Sequence, residues 1–247
     1  MLIGKEMMKM KIETVLYDVT DEDVENGVFV VPDGITAIGE WAFEKCKRLN
    51  KVVISNGVTS IRKQAFYFCE SLQEVLIPNS VTVIENSFME CNSLTHITIP
   101  ESVITLEENF DTCKRLESID VDKSNPNYTS VDGVLFNKDK TTLLRHPREK
   151  NDKQYILPDG VKTIGTSAFY GCSRLTEVII PNSVKTIKCR AFWGCKSMSS
   201  IIIPDSVTEI AESAFDKTKK LTVKCHKGSY AEKYMGKYGY RVEYLED

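Results

Sequence analysis

Hydrophobic and polar positions follow one another along this chain in an order that returns about every 23 residues. The clearest pair of copies runs from Leu49 to Leu94, where leucine, valine, isoleucine, phenylalanine and cysteine recur in the same order. The offset between the copies is 23 residues up to Ile84 and 22 residues after it. Because an internal repeat of this length indicates a solenoid or an array, the repeat decides the predicted fold.

Each repeat predicts three structural pieces. The first, L-x-x-[VI]-x-[IV], alternates apolar and outward-facing positions as a half-buried β-strand does. A proline such as Pro78 or Pro100 follows and ends the strand, because proline lacks an N–H group and has a fixed φ. The motif V-x-x-I predicts a second extended piece, and A-F-x-x-C fits about one helical turn with its phenylalanine pointing inward.

Stacked repeats are expected to place like residues above one another, because one repeat cannot bury its apolar side alone. Successive strands run in the same direction, so the sheet is parallel with about 4.8 Å between strands. Seven phenylalanines are expected to form a buried column: Phe43, Phe66, Phe88, Phe110, Phe169, Phe192 and Phe215. The predicted fold class is α/β and mostly β, a solenoid with a parallel β-sheet and short helical turns.

The period breaks once, between Leu116 and Leu175. Residues 28–121 and 154–225 carry the repeats, and residues 122–153 predict an inserted antiparallel β-meander. Its turn signals are Asp132-Gly133 and residues 137–140, which flank short apolar strand cores. We interpret 122–153 as an insertion in one continuous domain, with an interdomain linker as the alternative.

Both ends of the chain depart from the repeat and predict caps, because the terminal repeats of a stack expose a core face unless something covers it. Residues 1–27 are the predicted N-terminal cap, with strand character around Ile12, Thr14 and Leu16. Residues 226–247 are the predicted C-terminal cap, in which Ser229 starts a helix as its N-cap. A final strand is expected over residues 241–244.

The repeat motif L-x-x-[VI]-x-IP-x-SV-x-x-I-x-x-x-AF-x-x-C resembles that of the BspA-like leucine-rich repeat family of bacterial surface-type proteins. The segment LTEVIIPNSVKTIKCRAFWGCKSM (175–198) fits it especially well, and NPNYTSVDGVLFNKDKTTLLRHP and KGSYAEKYMGKYGY are similar to further segments of that family. The resemblance covers about residues 28–240. It implies a right-handed leucine-rich-repeat solenoid. It also implies an extracellular or surface-anchored protein that binds host matrix proteins, other bacteria or epithelial receptors.

Departures from the family motif are few: Ser55 stands in a proline position, Thr218 in a cysteine position and Met198 in a leucine position. All three are conservative for folding.

Composition and charge narrow the function classes. The 247 residues are 42% hydrophobic and carry a net charge of −3, which argues against a nucleic-acid partner. No run approaches 18 consecutive apolar residues, so no membrane span is predicted. The first residues have no apolar core of a secretory signal. Localisation therefore stays open between the cytoplasm, as the sequence reads, and the cell surface or secretion, as the resemblance implies.

Eight cysteines could suggest disulfides, but six of them stand three residues after a repeat phenylalanine. A residue that recurs at one repeat position is a packing choice, since a free cysteine behaves as a small buried hydrophobe. We therefore expect reduced thiols in the core. No CxxC pair occurs, which disfavours a zinc site.

A candidate protein-binding face follows from strand alternation. If the first, fourth and sixth repeat positions face the core, the third and fifth face outward. The fifth positions are mostly aliphatic, and contiguous exposed apolar area tends to mark interaction sites. The alternative is that β-branched residues simply favour strands and make cross-strand ladders. The candidate residues are Val30, Lys51, Val53, Glu74, Leu76, His96, Thr98, Gln154, Ile156, Glu177, Ile179 and Ile202.

Signals for catalysis are weak, because His96, His146 and His226 fall in different units and none lies in a nucleophile or metal motif. We predict a non-enzymatic, adhesion-type monomer that binds a protein, by resemblance a host matrix or cell-surface protein. No catalytic residue, metal or cofactor is predicted. The alternatives are a cytoplasmic scaffold and a carbohydrate-binding module that uses aromatic residues near the turns, Tyr67, Tyr170 and Trp193.

Overall fold

The computed structural model describes residues 14–218 and 220–246, which form short β-strands and one α-helix. The first ten strands are β1 Val15–Leu16, β2 Val28–Val30, β3 Ala37–Ile38, β4 Lys51–Val53, β5 Ser60–Ile61, β6 Glu74–Leu76, β7 Val83–Ile84, β8 His96–Ile99, β9 Thr105–Leu106 and β10 Ser118–Val121. The remaining elements are β11 Tyr128–Val131, β12 Val134–Asn137, β13 Thr142–Arg145, β14 Gln154–Ile156, β15 Thr163–Ile164, β16 Glu177–Ile179, β17 Thr186–Ile187, β18 Ser200–Ile202, β19 Glu209–Ile210, β20 Thr222–Cys225, α1 Tyr230–Tyr238 and β21 Arg241–Tyr244.

The strands stack in two columns, one for each extended piece of the repeat. The first column consists of three parallel ladders, β2-β4-β6, β8-β10 and β14-β16-β18-β20-β21. The second column consists of β1-β3-β5-β7-β9, all parallel, and of β11-β12-β13-β15-β17-β19. The predicted mostly-β solenoid with parallel sheets is confirmed, and it has about 10 turns with 4% helix.

An antiparallel meander interrupts the second column, as the turn signals predict. Strands β11 and β12 pair antiparallel through Val131 and Val134, and the two residues between them form the loop. Asp132 and Gly133 both have positive φ, 49° and 75°, which is the geometry of a tight hairpin turn. Strand β12 pairs antiparallel with β13, and β13 then pairs parallel with β15 and rejoins the stack.

The strands of the first column end just before the repeat prolines. Pro78 accepts a hydrogen bond from the backbone N–H of Val81 at 3.1 Å, and Pro100 accepts one from Val103 at 3.3 Å. Ser55 supports the same turn without proline, because its carbonyl accepts from Val58 at 3.4 Å. Its hydroxyl also donates to the carbonyl of Pro32, one coil earlier, at 3.2 Å.

The A-F-x-x-C segments form short turns, and these turns bring the phenylalanines together in a buried column. In the repeat at 61–72, the N–H of Cys69 donates to the carbonyl of Phe66 at 3.2 Å. Ring centroids lie 4.8 Å apart for Phe43–Phe66, 5.2 Å for Phe66–Phe88 and 5.6 Å for Phe88–Phe110. The second half continues at 5.0 Å for Phe169–Phe192 and 5.1 Å for Phe192–Phe215.

The repeat cysteines are free thiols that link adjacent coils, as the prediction of reduced core thiols requires. The thiol of Cys69 donates to the carbonyl of Phe43 at 2.9 Å, and that of Cys91 donates to Phe66 at 3.2 Å. The same contact joins Cys195 to Phe169 at 3.0 Å. The cysteine therefore satisfies a buried carbonyl of the preceding coil in addition to filling space.

Between the two halves lies a break that we call the seam, where no strand pairing joins β9 to β13 or β10 to β14. His146 occupies the phenylalanine position at the seam. Its backbone N–H donates to the carbonyl of Ala168 at 2.7 Å, as Phe169 does to Ala191. Its ring lies 5.3 Å from that of Phe169 and is buried. The column of rings thus continues through a histidine.

Two hydrophobic clusters make up the core, and β12 contributes to both. Leu135 packs in the first cluster, whereas Val134 and Phe136 pack in the second. This division follows from strand alternation, which sends neighbouring side chains to opposite faces.

Both ends of the described chain carry capping elements. Val19 and Val24 are buried against the first coil, and the predicted strand residue Ile12 lies outside the described residues. At the other end Ser229 is the N-cap of α1, as predicted, and its hydroxyl accepts the N–H of Glu232 at 3.2 Å. Ala231, Tyr234 and Met235 of α1 are buried, while Tyr238 is exposed. The boundaries of caps and insertion stay predictions.

Candidate binding face

The outward side chains of the first column form the surface that we call the sheet face. In β6, Val75 is buried whereas Glu74 and Leu76 are exposed, and β8 repeats the alternation with buried Ile97. The third and fifth repeat positions therefore point outward. Lys51, Val53 and Glu177 are half-buried, and the other candidate residues are exposed: Val30, Glu74, Leu76, His96, Thr98, Gln154, Ile156, Ile179 and Ile202.

Two aliphatic patches lie on this face, each built by strands in register. Val30, Val53 and Leu76 align across β2, β4 and β6. Ile156, Ile179 and Ile202 align across β14, β16 and β18. The exposed fractions are 60% for Val30, 44% for Leu76, 62% for Ile156, 38% for Ile179 and 45% for Ile202.

Polar residues separate the two patches, so the face is not one continuous aliphatic column. Thr98 and Asp120 are paired in β8 and β10 and occupy the same repeat position between Leu76 and Ile156. Asp120 accepts a hydrogen bond from the hydroxyl of Ser118 at 3.0 Å. The seam lies beyond β10 and adds further distance between the patches.

The third repeat position flanks each patch with pairs of polar side chains. Lys51 forms an ion pair with Glu74, with Nζ 2.8 Å from Oε2. Gln154 donates from Nε2 to Oε2 of Glu177 at 2.6 Å. Since such pairs are partly solvent-exposed, they orient side chains more than they stabilise the fold.

Shallow grooves cross the sheet face where neighbouring strands are incompletely paired. One lies between β6 and β8, which belong to separate ladders, and Leu76 and His96 line it. The other lies between β16 and β18, which are in register only at Ile179 and Ile202. Each groove therefore adjoins one of the aliphatic patches.

Burial keeps two thiols and one imidazole near the seam in their neutral forms. Burial raises the pKa of the Cys113 and Cys172 thiols to about 12, so both are protonated at neutral pH. Burial lowers the pKa of His146 to about 4. Within residues 14–218 and 220–246, no three His, Cys, Asp or Glu side chains cluster closely enough to hold a metal ion.

The aromatic residues near the turns pack against one another. Tyr170 and Trp193 stack with centroids 4.5 Å apart and planes 4° apart, and Tyr67 meets Trp41 edge to face at 5.1 Å. In the stacked pair each ring covers one face of the other, which a sugar would otherwise contact.

Two seam residues carry structure that sequence reasoning missed. Arg145 and His146 are both buried, and they lie in the segment 122–153, for which the sequence predicts only a meander. The repeat motif gives no signal for them, because the segment LLRHP (143–147) matches neither V-x-x-I nor A-F-x-x-C. No helix in the described part of the chain is long and apolar enough to cross a membrane.

Solved structures with the same fold come from several bacteria. A leucine-rich repeat protein from Eubacterium ventriosum is 26% identical with a TM-score of 0.67, over 87% of this chain and 66% of that one. The pneumococcal vaccine antigen PcpA is 25% identical with a TM-score of 0.64, over 81% of this chain and 62% of that one. A leucine-rich cell surface protein from Faecalibacterium prausnitzii is 24% identical with a TM-score of 0.55, over 89% and 79%.

This chain thus spans about two thirds or less of the length of the first two structures. Comparison with curated protein sequences gives no match. The sequence profile described as BspA type leucine rich repeat region matches in six copies, over residues 23–141 and 148–232. Because these matches cover most of the chain, it belongs to the BspA-type leucine-rich repeat family.

Proposed function

We propose that this chain is a non-enzymatic, adhesion-type binding protein that recognises a protein partner through the two aliphatic patches of the sheet face. The observation that carries the proposal is the register of the patches. Five large aliphatic side chains, 38–62% exposed, are held in line on hydrogen-bonded strands. A rigid, preorganised surface loses little conformational entropy when a partner covers it.

The free energy gained by burying the two patches is large enough for a partner to be recognised. Full burial of a valine, leucine or isoleucine side chain contributes about 1.5–3 kcal/mol, and roughly half of each of these side chains is still exposed. Covering the two patches would therefore contribute on the order of 5 kcal/mol. Polar pairs beside the patches, Lys51–Glu74 and Gln154–Glu177, would form the rim that fixes the orientation of the partner.

The setting proposed for this binding is a bacterial surface, where the partner is a host matrix or cell-surface protein. Similarity to a pneumococcal vaccine antigen supports that setting. The exposed isoleucines also argue against a purely structural role, because a cross-strand ladder does not require side chains to stay this far open to water.

Binding to immobilised fibronectin, laminin and collagen, measured by biolayer interferometry, tests the proposal. In the double variant Leu76→Lys/Ile179→Lys, one lysine enters each patch, and binding to whichever of these proteins is recognised should fall at least tenfold. The matched control is Ile104→Lys, because Ile104 is also an exposed isoleucine, at 61%, but lies outside the sheet face. The melting temperature of both variants should remain close to that of the unmodified chain.

Unchanged binding by a folded double variant would refute the sheet face as the binding surface. Binding to a glycan array but to no protein would instead support the carbohydrate-binding alternative.

A further inference from the structure

A cavity of about 170 Å³ lies at the seam, away from the sheet face. Its wall combines the segment after β9, part of β12 and β13, and the turn after β15. A water molecule needs about 10–15 Å³ of cavity volume. The cavity can therefore hold a molecule of roughly ten non-hydrogen atoms.

The cavity exists because the second column has no strand between β9 and β13. The hydroxyl of Tyr128 takes the place of a strand at the edge of β9. It accepts the N–H of Leu106 at 3.0 Å and donates to the carbonyl of Ile104 at 3.3 Å. Strand β13 is paired on both sides, with β12 and β15, so no strand fills the space beside β9.

A buried cation forms one side of the cavity. The side chain of Arg145 is only 3% exposed. Its guanidinium donates to the backbone carbonyls of Ser167, Asp111 and Tyr170, and its Nε has no hydrogen-bond partner. Among the described residues, no carboxylate lies within ion-pair distance of it, and the nearby carboxylate of Asp111 offsets only part of the effect of burial on its pKa. Buried charges are normally paired, because removal from water is costly for a lone ion. Lys188 adds a second cation to the same lining.

Carboxylates line the same cavity. Glu107, Glu108 and Asp111 belong to the wall. Glu107 accepts the backbone N–H of Asn86 at 3.2 Å, and Asp111 acts electrostatically on Arg145 from beyond ion-pair distance. The described residues offer no hydrogen-bond partner to the side-chain carboxylate of Glu108 or Asp111. Apolar surface completes the lining, with Phe110, Leu135 and Leu144. A simple anion would therefore meet the acids, and a simple cation would meet Arg145 and Lys188. A zwitterion with an apolar substituent is the small molecule that matches both signs of charge and the apolar wall.

We propose that the seam cavity binds a free α-amino acid with an apolar side chain of about leucine size. Its carboxylate is balanced by Arg145 and Lys188, and its ammonium group by Glu108 and Asp111. Its side chain packs on Leu135, Leu144 and Phe110. Because these residues come from both sides of the seam, the bound amino acid joins the two halves of the solenoid. This site is independent of protein binding through the sheet face.

Isothermal titration calorimetry and thermal melting of the full chain test the proposal. The probes are the twenty amino acids, N-acetyl-L-leucine, which lacks the ammonium group, and L-leucinamide, which lacks the carboxylate. We expect binding of leucine-sized apolar amino acids and a rise in melting temperature. Each of the two derivatives should bind at least tenfold more weakly than leucine. Absence of heat and of a melting shift for every amino acid at 10 mM would overturn the proposal, as would equal affinity for N-acetyl-L-leucine.

Variants of the wall provide a second test that does not disturb the fold. Asp111→Asn keeps the shape of the side chain, and Lys188→Met changes an exposed lysine; each should weaken leucine binding at least tenfold. The matched control is Lys185→Met, an exposed lysine outside the lining, which should bind as the unmodified chain does. Arg145 is not used, because its three carbonyl contacts hold the seam together. Unchanged affinity in both wall variants would refute the assignment.

Discussion

Replacement of His146 by phenylalanine should remove a pH-dependent weakness of the fold. The histidine ring is 1% exposed and packs against Phe169, with the ring planes tilted by 30°, in a column that otherwise consists of phenylalanines. Its Nδ1 lies 2.9 Å from the carbonyl oxygen of Pro147, and its Nε2 lies 3.4 Å from Oδ2 of Asp152. The substitution keeps the aromatic contact and removes the titratable group.

The pKa of His146 falls from 6.5 to about 4, chiefly because burial disfavours the charged imidazolium and also because the guanidinium of Arg145 is near. The carbonyl of Pro147 and the carboxylate of Asp152 act in the opposite direction but do not offset the burial. The unfolded chain therefore binds a proton at a higher pH than the folded chain does. The neutral, buried His146 therefore contributes to the stability of the fold. Its contribution is fully present above pH 6.5 and is lost as the pH falls towards 4.

Since one pKa unit corresponds to about 1.4 kcal/mol, the loss between pH 7.5 and pH 5.0 is about 2 kcal/mol. Urea unfolding followed by circular dichroism at both pH values measures it. Carboxylates also titrate, so the informative quantity is the difference between the unmodified chain and His146→Phe. The unmodified chain should lose about 2 kcal/mol more than the variant. His96→Phe, which changes an exposed histidine, is the control. If the free energy of unfolding changes equally with pH in His146→Phe and in the unmodified chain, the reasoning is refuted.

Three further predictions concern the stack and its cap. Phe88→Ala removes a fully buried ring between Phe66 and Phe110, and it should lower the free energy of unfolding by about 3–5 kcal/mol in urea titrations. Native protein should react with a thiol reagent rapidly only at Cys189, the exposed cysteine, while the other seven react after unfolding; fast modification of several thiols would contradict this. Ser229→Ala removes the N-cap of α1, so we expect a loss of about 1 kcal/mol, whereas Ser229→Asp should retain most of the stability.

The repeat made most of the fold predictable from the sequence. Spacing alone places Phe66 above Phe43 and Leu76 beside Val53, because a residue and its copy 23 positions later occupy equivalent places in successive coils. Alternation within a strand predicts that Leu76 faces outward and Val75 inward. These relations depend only on local periodicity, which the sequence displays directly.

The seam was not predictable in the same way. His146 has the backbone pairing of a repeat phenylalanine, but neither its side chain nor its neighbours match the motif that identifies that position. Arg145 is held by carbonyls from Asp111, Ser167 and Tyr170, which are 22–34 residues away in the chain. Contacts of this kind arise from the way in which the meander interrupts the stack, and no periodic pattern records them. The polar gap at Thr98 and Asp120 was visible in the sequence, whereas the division of the first column into separate ladders was not.

Strand β12 couples the unfolding of the two halves of the solenoid. Its side chains enter the core on one side through Leu135 and the core on the other side through Val134 and Phe136. When either half melts, the strand loses its support from that half and exposes apolar surface that the intact half must then tolerate. A pull applied across the seam would therefore load this strand together with the carbonyl contacts of Arg145, and the halves should yield together rather than one coil at a time.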